Sequence, residues 1–413
     1  MKRLPVLCAV LRALLAVGGI AGGLLVQAAS IAPAVGENAM VVTAQHLATR
    51  VGVEVLKKGG NAVDAAVAVG YALAVVYPAA GNLGGGGFMT IRLADGRKTF
   101  LDFREKAPLA SKPDMYLDAH GNVVERLSLS GHLAVGVPGT VAGLERAREK
   151  YGSMKRSALI APAIELAEKG FVLEQSDVDI LRMATQDFAK DAPSAAIFLN
   201  KGEPFVRGQR LLQKDLGRTL RLISRYGAEG FYKGSVGAAI VASSAAGKGI
   251  LTQSDLDQYA TRELPPIECD YRGYQIVSAP PPSSGGVILC EILNILEGYR
   301  LRELGFRSAQ AVHYQIEAMR HAYLDRNSYL GDPDFVKNPL ERLLAKGYAE
   351  KIRGAIEPSM AGKSSDLKPG VAPHEGANTT HYCIIDRHGS AVALTYSLND
   401  AFGARVTAAQ TGG

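Results

Sequence analysis

The stretch from Asn61 to Pro78, "NAVDAAVAVGYALAVVYP", constrains this chain more than any other. Wound as a helix it is apolar on nearly every side, so it predicts a helix buried all round, with Asn61 as its cap. A chain of 413 residues is long enough to cover such a helix. Nearly half hydrophobic, a fifth charged and free of low-complexity tracts, it has the composition of a compact enzyme-like protein. No Pro- or Ser-rich linker and no solenoid repeat divides it, which predicts one intertwined unit.

Around that helix the pattern alternates irregularly. "TAQHLATRVGVEVLKKGG" predicts a preceding helix that stops at Gly59 and Gly60. "FMTIRLADGRKTFLDFRE" alternates apolar and polar residues about Asp95 and Gly96, a hairpin signature. Val141 to about Tyr259 reads as mostly helical, and "YRGYQIVSAPPPSSGGVILCEILNIL" as a strand, a polyproline-like bend and a buried helix. "RSAQAVHYQIEAMRHAYLDRNSYL" predicts an amphipathic helix capped by Ser308, with Val312, Ile316 and Met319 facing inward. Strands resume with "HYCIID" and "AVALTYSL".

The N-terminal segment falls outside this scheme. Lys2 and Arg3 precede an apolar run from Ala13 to Val26, and small residues follow, so residues 1–28 read as a secretory signal cut after Ala28. At 14 residues with four glycines, the run is short of the roughly 20 that a bilayer needs. The expected location is periplasmic or secreted. Net charge is +6, and +3 once Lys2, Arg3 and Arg12 are set aside. With no basic run interleaved with aromatics, nucleic acid is not an expected partner. Cys269, Cys290 and Cys383 remain, in apolar surroundings, and are expected to be buried thiols rather than a disulfide framework.

Three local features invite functional readings that the pattern does not sustain. "GNLGGGGFM", Gly81 to Met89, lacks the Lys-Ser/Thr of a P-loop and the spacing of a dinucleotide fingerprint, so it predicts a loop where backbones approach closely. His313, Glu317 and His321 share a helix face, but a zinc site needs a further ligand and no HExxH or CxxC is present, so no metal or cofactor is expected. Ser283 and Ser284 in "PPPSSGG" have no GxSxG elbow and read as a helix cap.

"NTTHY", from Asn378, offers different chemistry. A threonine hydroxyl is a poor nucleophile until a base lies within reach, and the α-amine of the same residue supplies one if that residue is N-terminal. Such an amine titrates near neutrality. A catalytic Thr379 therefore requires a break in the chain before it; without one, a threonine pair on a strand is simply a β-former.

The words "GGNAVDAAVAVGYAL", "NLGGGGFM", "DFRE", "GVPGTVAG", "FYKG", "DYRGYQ", "PPPSSGG", "YLGDPDFV" and "TTHY" stand in the order found in the γ-glutamyltranspeptidase (glutathione hydrolase) proenzymes. The chain resembles that family of N-terminal nucleophile hydrolases from about Asn38 to Gly403. The resemblance implies an α+β fold, a four-layer αββα sandwich, and a precursor that cuts itself into a large subunit, residues 29–378, and a small one beginning at 379. It implies transfer of the γ-glutamyl group of glutathione and related amides to water, amino acids or peptides. Thr379 matches the nucleophile and Asn378 the residue before the scissile bond. Arg104 matches the arginine that pairs with the donor α-carboxylate, a task suited to a planar fork; its structural alternative is an ion pair with Asp102 or Glu105. Asn399 matches a residue at the donor's α-amino end. Ser397 stands where threonine is common and keeps the hydroxyl that can meet the nucleophile's amine.

The match stops at Gly413, so that 35 residues, Thr379 to Gly413, represent the small subunit. Against the family pattern this predicts a chain truncated in the small subunit, lacking the residues of the oxyanion hole and therefore uncut and inactive as written. Two alternatives accompany the main reading: an acylase of the same fold that takes glutaryl amides, and a non-catalytic fragment.

Overall fold

The computed structural model describes residues 33–363 and 379–412. The chain divides into two units, Met1–Glu37 and Asn38–Gly413, and every element below belongs to the second. The expected signal segment and Asn378 lie outside the described residues.

Helix α1 (His46–Lys57) and helix α2 (Ala62–Val76) pack on each other and are joined through Gly59 and Gly60. All of α2 is buried, as its composition requires. Its start is fixed reciprocally: Asn61 Oδ1 accepts from Asp64 N at 2.9 Å and Asp64 Oδ2 accepts from Asn61 N at 3.0 Å. Helices α3 (Thr140–Tyr151), α4 (Arg156–Lys169) and α5 (Lys214–Tyr226) add cover, with Val141, Leu144, Leu159 and Ile160 fully buried.

In chain order the longer strands are β1 (Met40–Val42), β2 (Gly86–Arg92), β3 (Lys98–Asp102), β4 (Arg262–Leu264), β5 (Ile267–Tyr271), β6 (Tyr274–Ser278), β7 (Thr380–Ile385) and β8 (Ala391–Ser397). Six of them form one antiparallel sheet in the order β1-β7-β8-β2-β3-β4. The β7–β8 hairpin thus sits in the middle of a sheet otherwise built from residues more than a hundred positions earlier. Its inward side chains, Tyr382, Ile384, Val392, Leu394 and Tyr396, pack against α2. Three of its residues hold that helix at one-turn intervals: Asp386 Oδ2 accepts from Ala62 N at 3.0 Å, and the Tyr382 and Tyr396 hydroxyls donate to Ala66 O at 2.8 Å and Gly70 O at 2.9 Å.

A second region surrounds helix α6 (Gly285–Glu297). The β5–β6 hairpin, α7 (Ala309–Tyr329) and α8 (Lys346–Ala355) pack on it through two small apolar clusters. Ser308 caps α7 as expected, its Oγ accepting from Ala311 N at 3.2 Å. The facing of that helix differs from expectation: Val312, Ile316 and Met319 are exposed, and Ala311, Glu317, Ala318, Ala322 and Asp325 face inward. Small residues let α7 approach α6 closely, which turns the larger apolar side chains out. The cysteines also differ. Cys269 on β5 and Cys290 on α6 form a disulfide, with Cα atoms 5.9 Å apart, and Cys383 is an exposed thiol on the outer face of β7. The apolar setting of Cys290 was real, but its partner is 21 residues away in sequence and is brought to it by the hairpin.

Candidate active site

The glycine loop before β2 is where the site is assembled. A Cβ on Gly85 would collide with the Ser397 carbonyl, and one on Gly86 with the backbone of Arg104 and Glu105, so only glycine lets the ends of β8 and β3 close on this loop. Asn82 ties the pieces together. Its Oδ1 accepts from Gly85 N at 2.9 Å and from Thr140 Oγ1 at 2.6 Å, while its Nδ2 donates to Ser397 O at 3.2 Å.

Thr379 immediately precedes β7 and is exposed. Pairing of Thr380 with Tyr396 continues to bring Thr379 alongside Ser397 at the end of β8. The two threonines are not equivalent: alternation turns Thr380 inward, where its Oγ1 has no hydrogen-bond partner among the described residues, and leaves Thr379 on the open face. Beyond β8 the chain turns through Asn399, which has a left-handed φ of 74° and donates its N–H to Ser397 Oγ at 3.0 Å.

Arg104 follows β3. Its backbone is held on both sides, the N–H donating to Asp102 Oδ1 at 3.0 Å and the carbonyl accepting from Tyr259 Oη at 2.9 Å. Its guanidinium is lightly held, 3.5 Å from Glu105, 5.8 Å from the centre of the Phe88 ring, and with 53% of the side chain exposed. Asp102 is engaged elsewhere, by Arg262. Of the two ion pairs open to Arg104, the structure contains the weaker contact with Glu105 and not the one with Asp102.

Thr379, Arg104, Ser397 and Asn399 all line one open cavity of about 810 Å³. Four residues spread over nearly three hundred positions are brought to a single wall system. Ser283, Ser284 and Arg326 line it from the α6 region. Ser284 occupies the start of α6 without capping it; its Oγ accepts from Arg326 Nε at 3.0 Å. A second cavity of about 510 Å³, more apolar and lined by Phe188, Phe198 and Phe402, shares Ser397 and Asn399 with the first.

Further along β7, His381 lies on the same strand face as Thr379. Its Nδ1 is 2.7 Å from Thr395 Oγ1 and its Nε2 is 3.1 Å from Cys383 Sγ. Partial screening from water against the sheet pushes the His381 pKa below its usual value and the pKa of the otherwise exposed Cys383 thiol above its own, so at neutral pH both are uncharged. Both ring nitrogens of His381 are occupied, which leaves no histidine free to act as base for the Thr379 hydroxyl from this strand. The helix face of His313, Glu317 and His321 is distributed among local partners: His313 Nε2 lies 2.8 Å from the Glu357 carbonyl, and Glu317 pairs with Arg320.

Sequence reasoning missed Asn82, Tyr259 and Arg262. Asn82 lay inside a glycine loop read only for its backbone. Arg262 and Tyr259 carry no local signal, because what matters is which residues β4 sets opposite β3.

The family model described as Gamma-glutamyltranspeptidase matches residues 48–412. A glutathione hydrolase proenzyme of Pseudomonas sp. (strain A14) is 71% identical over 388 residues, covering 94% of this chain and 68% of its own length. The Escherichia coli (strain K12) glutathione hydrolase proenzyme is 47% identical over 382 residues, covering 92% and 66%. The chain thus spans about two thirds of the length of these relatives. Among solved structures, Helicobacter pylori gamma-glutamyltranspeptidase superposes with a TM-score of 0.79 at 47% identity, over 84% of this chain and all of that one. The α+β fold is that of the N-terminal nucleophile hydrolases. The chain belongs to the γ-glutamyltranspeptidase family.

Proposed function

We propose that this protein is a γ-glutamyltransferase and glutathione hydrolase made as a proenzyme, with Thr379 as its nucleophile. The observation that carries the reading is the meeting of Thr379, Arg104, Ser397 and Asn399 on one cavity wall. In the precursor, the Thr379 hydroxyl attacks the Asn378 carbonyl. The peptide C–N bond breaks, freeing the Thr379 amine as an ester forms on its Oγ1, and water then hydrolyses that ester, releasing the Asn378 carboxylate and restoring the Thr379 hydroxyl.

In turnover that amine takes the hydroxyl proton as Thr379 Oγ1 attacks the γ-carbonyl of the donor. The amide C–N bond breaks, the leaving amine receives the proton, and a γ-glutamyl ester remains on Thr379. Water or the amine of an amino acid or peptide then attacks the ester and restores the hydroxyl. Arg104, with its half-exposed fork, binds the donor α-carboxylate; Asn399 meets the α-amino end, and Ser397 the nucleophile's amine. The acylase reading gains less from this wall, since a glutaryl donor keeps a carboxylate for Arg104 but has no α-amino group for Asn399.

Export completes the proposal. A basic start with a short apolar run fits a signal at residues 1–28, and a disulfide between Cys269 and Cys290 suits an oxidising compartment outside the cytoplasm.

Thr379→Ala is expected to abolish both the cut at Asn378–Thr379 and turnover of a γ-glutamyl anilide, read by denaturing electrophoresis with mass spectrometry and by steady-state kinetics. Continued cleavage at that bond sinks the nucleophile assignment. Arg104→Lys is expected to raise KM for the donor by about tenfold or more while cleavage proceeds, since one point charge replaces a two-pronged contact.

A further inference from the structure

Two arginines face the cavity beside β3, and their surroundings are unlike. Asp102 and Arg262 stand directly opposite each other in the β3–β4 register. Asp102 is buried, and its Oδ2 accepts from Arg262 Nε at 3.0 Å and Nη2 at 2.7 Å. The remaining Nη1 of Arg262 donates to Asp334 Oδ1 at 2.9 Å, in the loop after α7. All three nitrogens of that guanidinium are therefore engaged by protein carboxylates. Among the described residues, the Arg104 guanidinium has only the 3.5 Å contact with Glu105 and the Phe88 ring.

We propose that Arg262 is a positioning residue for donor recognition: by occupying Asp102, it keeps that carboxylate from capturing Arg104 and leaves the Arg104 guanidinium available to a donor α-carboxylate. The proposal rests on the reading of Arg104 given above. A buried carboxylate without a partner is costly, and the structure around it rearranges to supply one. The nearest alternative is Arg104, two residues along the chain, whose N–H Asp102 Oδ1 already accepts at 3.0 Å. With Arg262 in place, Asp102 orients the Arg104 backbone through one oxygen and spends the other on β4. With Arg262 gone, the same carboxylate competes with the substrate for the Arg104 fork.

The test is steady-state kinetics on four variants of the full-length protein with a γ-glutamyl anilide and with an anilide lacking the α-carboxylate. Arg262→Leu should raise KM for the γ-glutamyl donor about tenfold, the scale of a lost charge-assisted bond, with kcat changed by less than about twofold. It should leave KM for the decarboxylated donor unchanged. Adding Asp102→Asn removes the competing charge but keeps an oxygen for Arg104 N–H, so the double variant should return KM to within about twofold of the parent. Where Arg262→Leu does not accumulate as folded protein, Arg262→Lys supplies the comparison and should give a smaller rise in the same direction. An unchanged KM in Arg262→Leu or Arg262→Lys overturns the proposal. So does a double variant as impaired as the single one, which would mean that Arg262 touches the donor or only builds the wall. Arg104→Lys measured alongside separates the two failures: if it raises KM and the Arg262 variants do not, the carboxylate role of Arg104 stands and the positioning role of Arg262 falls.

Discussion

Helices α2 and α6 are both rich in apolar residues, yet they are buried in different ways. All fifteen residues of α2 are covered, and its one internal charge, Asp64, spends both oxygens on backbone and hydroxyl donors at Asn61, Ser153 and Met154. Helix α6 buries eight of thirteen, and two of the eight are Glu291 and Asn294, each with an oxygen that has no hydrogen-bond partner among the described residues. The α2 helix is held by apolar area and a satisfied carboxylate. The second relies on a disulfide and on a carboxyl pair, Glu291 beside Asp325, with the Tyr348 hydroxyl donating to Asp325 Oδ2 at 2.6 Å. Both regions contribute to the cavity, the first through Thr379, Ser397 and Arg104 and the second through Ser284 and Arg326. The difference teaches that the reacting groups stand on a region centred on a helix whose internal charge is satisfied, while the opposite wall stands on one whose stability we predict to depend on protonation and redox state.

The widest predicted gap between the regions is with pH. Burial, then the adjoining Asp325, push the Glu291 carboxyl up to about 9 from 4.5. The folded state therefore keeps a proton that the unfolded state releases across that window. Its contribution is fully present below about pH 4.5 and is lost as pH rises toward 9, by at most about 1.4 kcal/mol per pH unit. Urea midpoints at pH 6, 7 and 8 should fall in the parent and be much flatter in Glu291→Gln, whose amide can donate to Asp325 without titrating. Equal slopes in the two proteins would remove the pair from the account of α6.

Next in size is the disulfide. Replacing Cys290 by Ala releases a loop of 21 residues and should cost about 3 kcal/mol, read as a lower urea midpoint. A reductant should lower the parent's midpoint by a similar amount and leave the variant's unchanged. If the region around α6 were as self-sufficient as that around α2, neither change would register.

The same division decides what could be read from sequence. Helix α2, its Asn61 cap, the β2–β3 hairpin and the β7–β8 strands were legible because each announces itself within a short window, by all-round apolarity, a cap or strict alternation. Thr379, Arg104, Ser397 and Asn399 were singled out through words shared with a family, and only the fold brings them to one cavity. Around α6 the local signals misled. The apolar stripe of Val312, Ile316 and Met319 points outward because a row of small residues gives closer helix packing. The Cys269–Cys290 bond, like the Asp102–Arg262 clasp, depends on which strand is set beside which element. Register of that kind is a tertiary property that no window of sequence contains.

The smallest predicted effect tests how tightly the first region is satisfied. A methyl at Gly70 in α2 should by intrinsic helix propensity add about 1 kcal/mol of stability. In place, that Cβ would stand 2.9 Å from Tyr382 Oη and 3.0 Å from both Leu144 methyls. The tyrosine ring is buried and its hydroxyl is committed to Ala66 O at 2.8 Å, so it cannot yield without giving up that bond. A neutral hydrogen bond of this kind contributes about 1 kcal/mol, and the added crowding costs about 1 kcal/mol more. Gly70→Ala should therefore be destabilised by about 1 kcal/mol net despite its better helix former. Tyr382→Phe alone loses only the bond and should cost about 1 kcal/mol. In the double variant the oxygen that blocked the methyl is absent and no hydrogen bond remains to lose, so only the Leu144 methyls oppose the propensity gain and stability should at least match that of Tyr382→Phe. A positive coupling in this cycle, measured by urea denaturation, means that the hairpin carrying Thr379 is seated on α2 through this contact; strict additivity means that α2 has slack at Gly70 and that its packing is no tighter than that of α6.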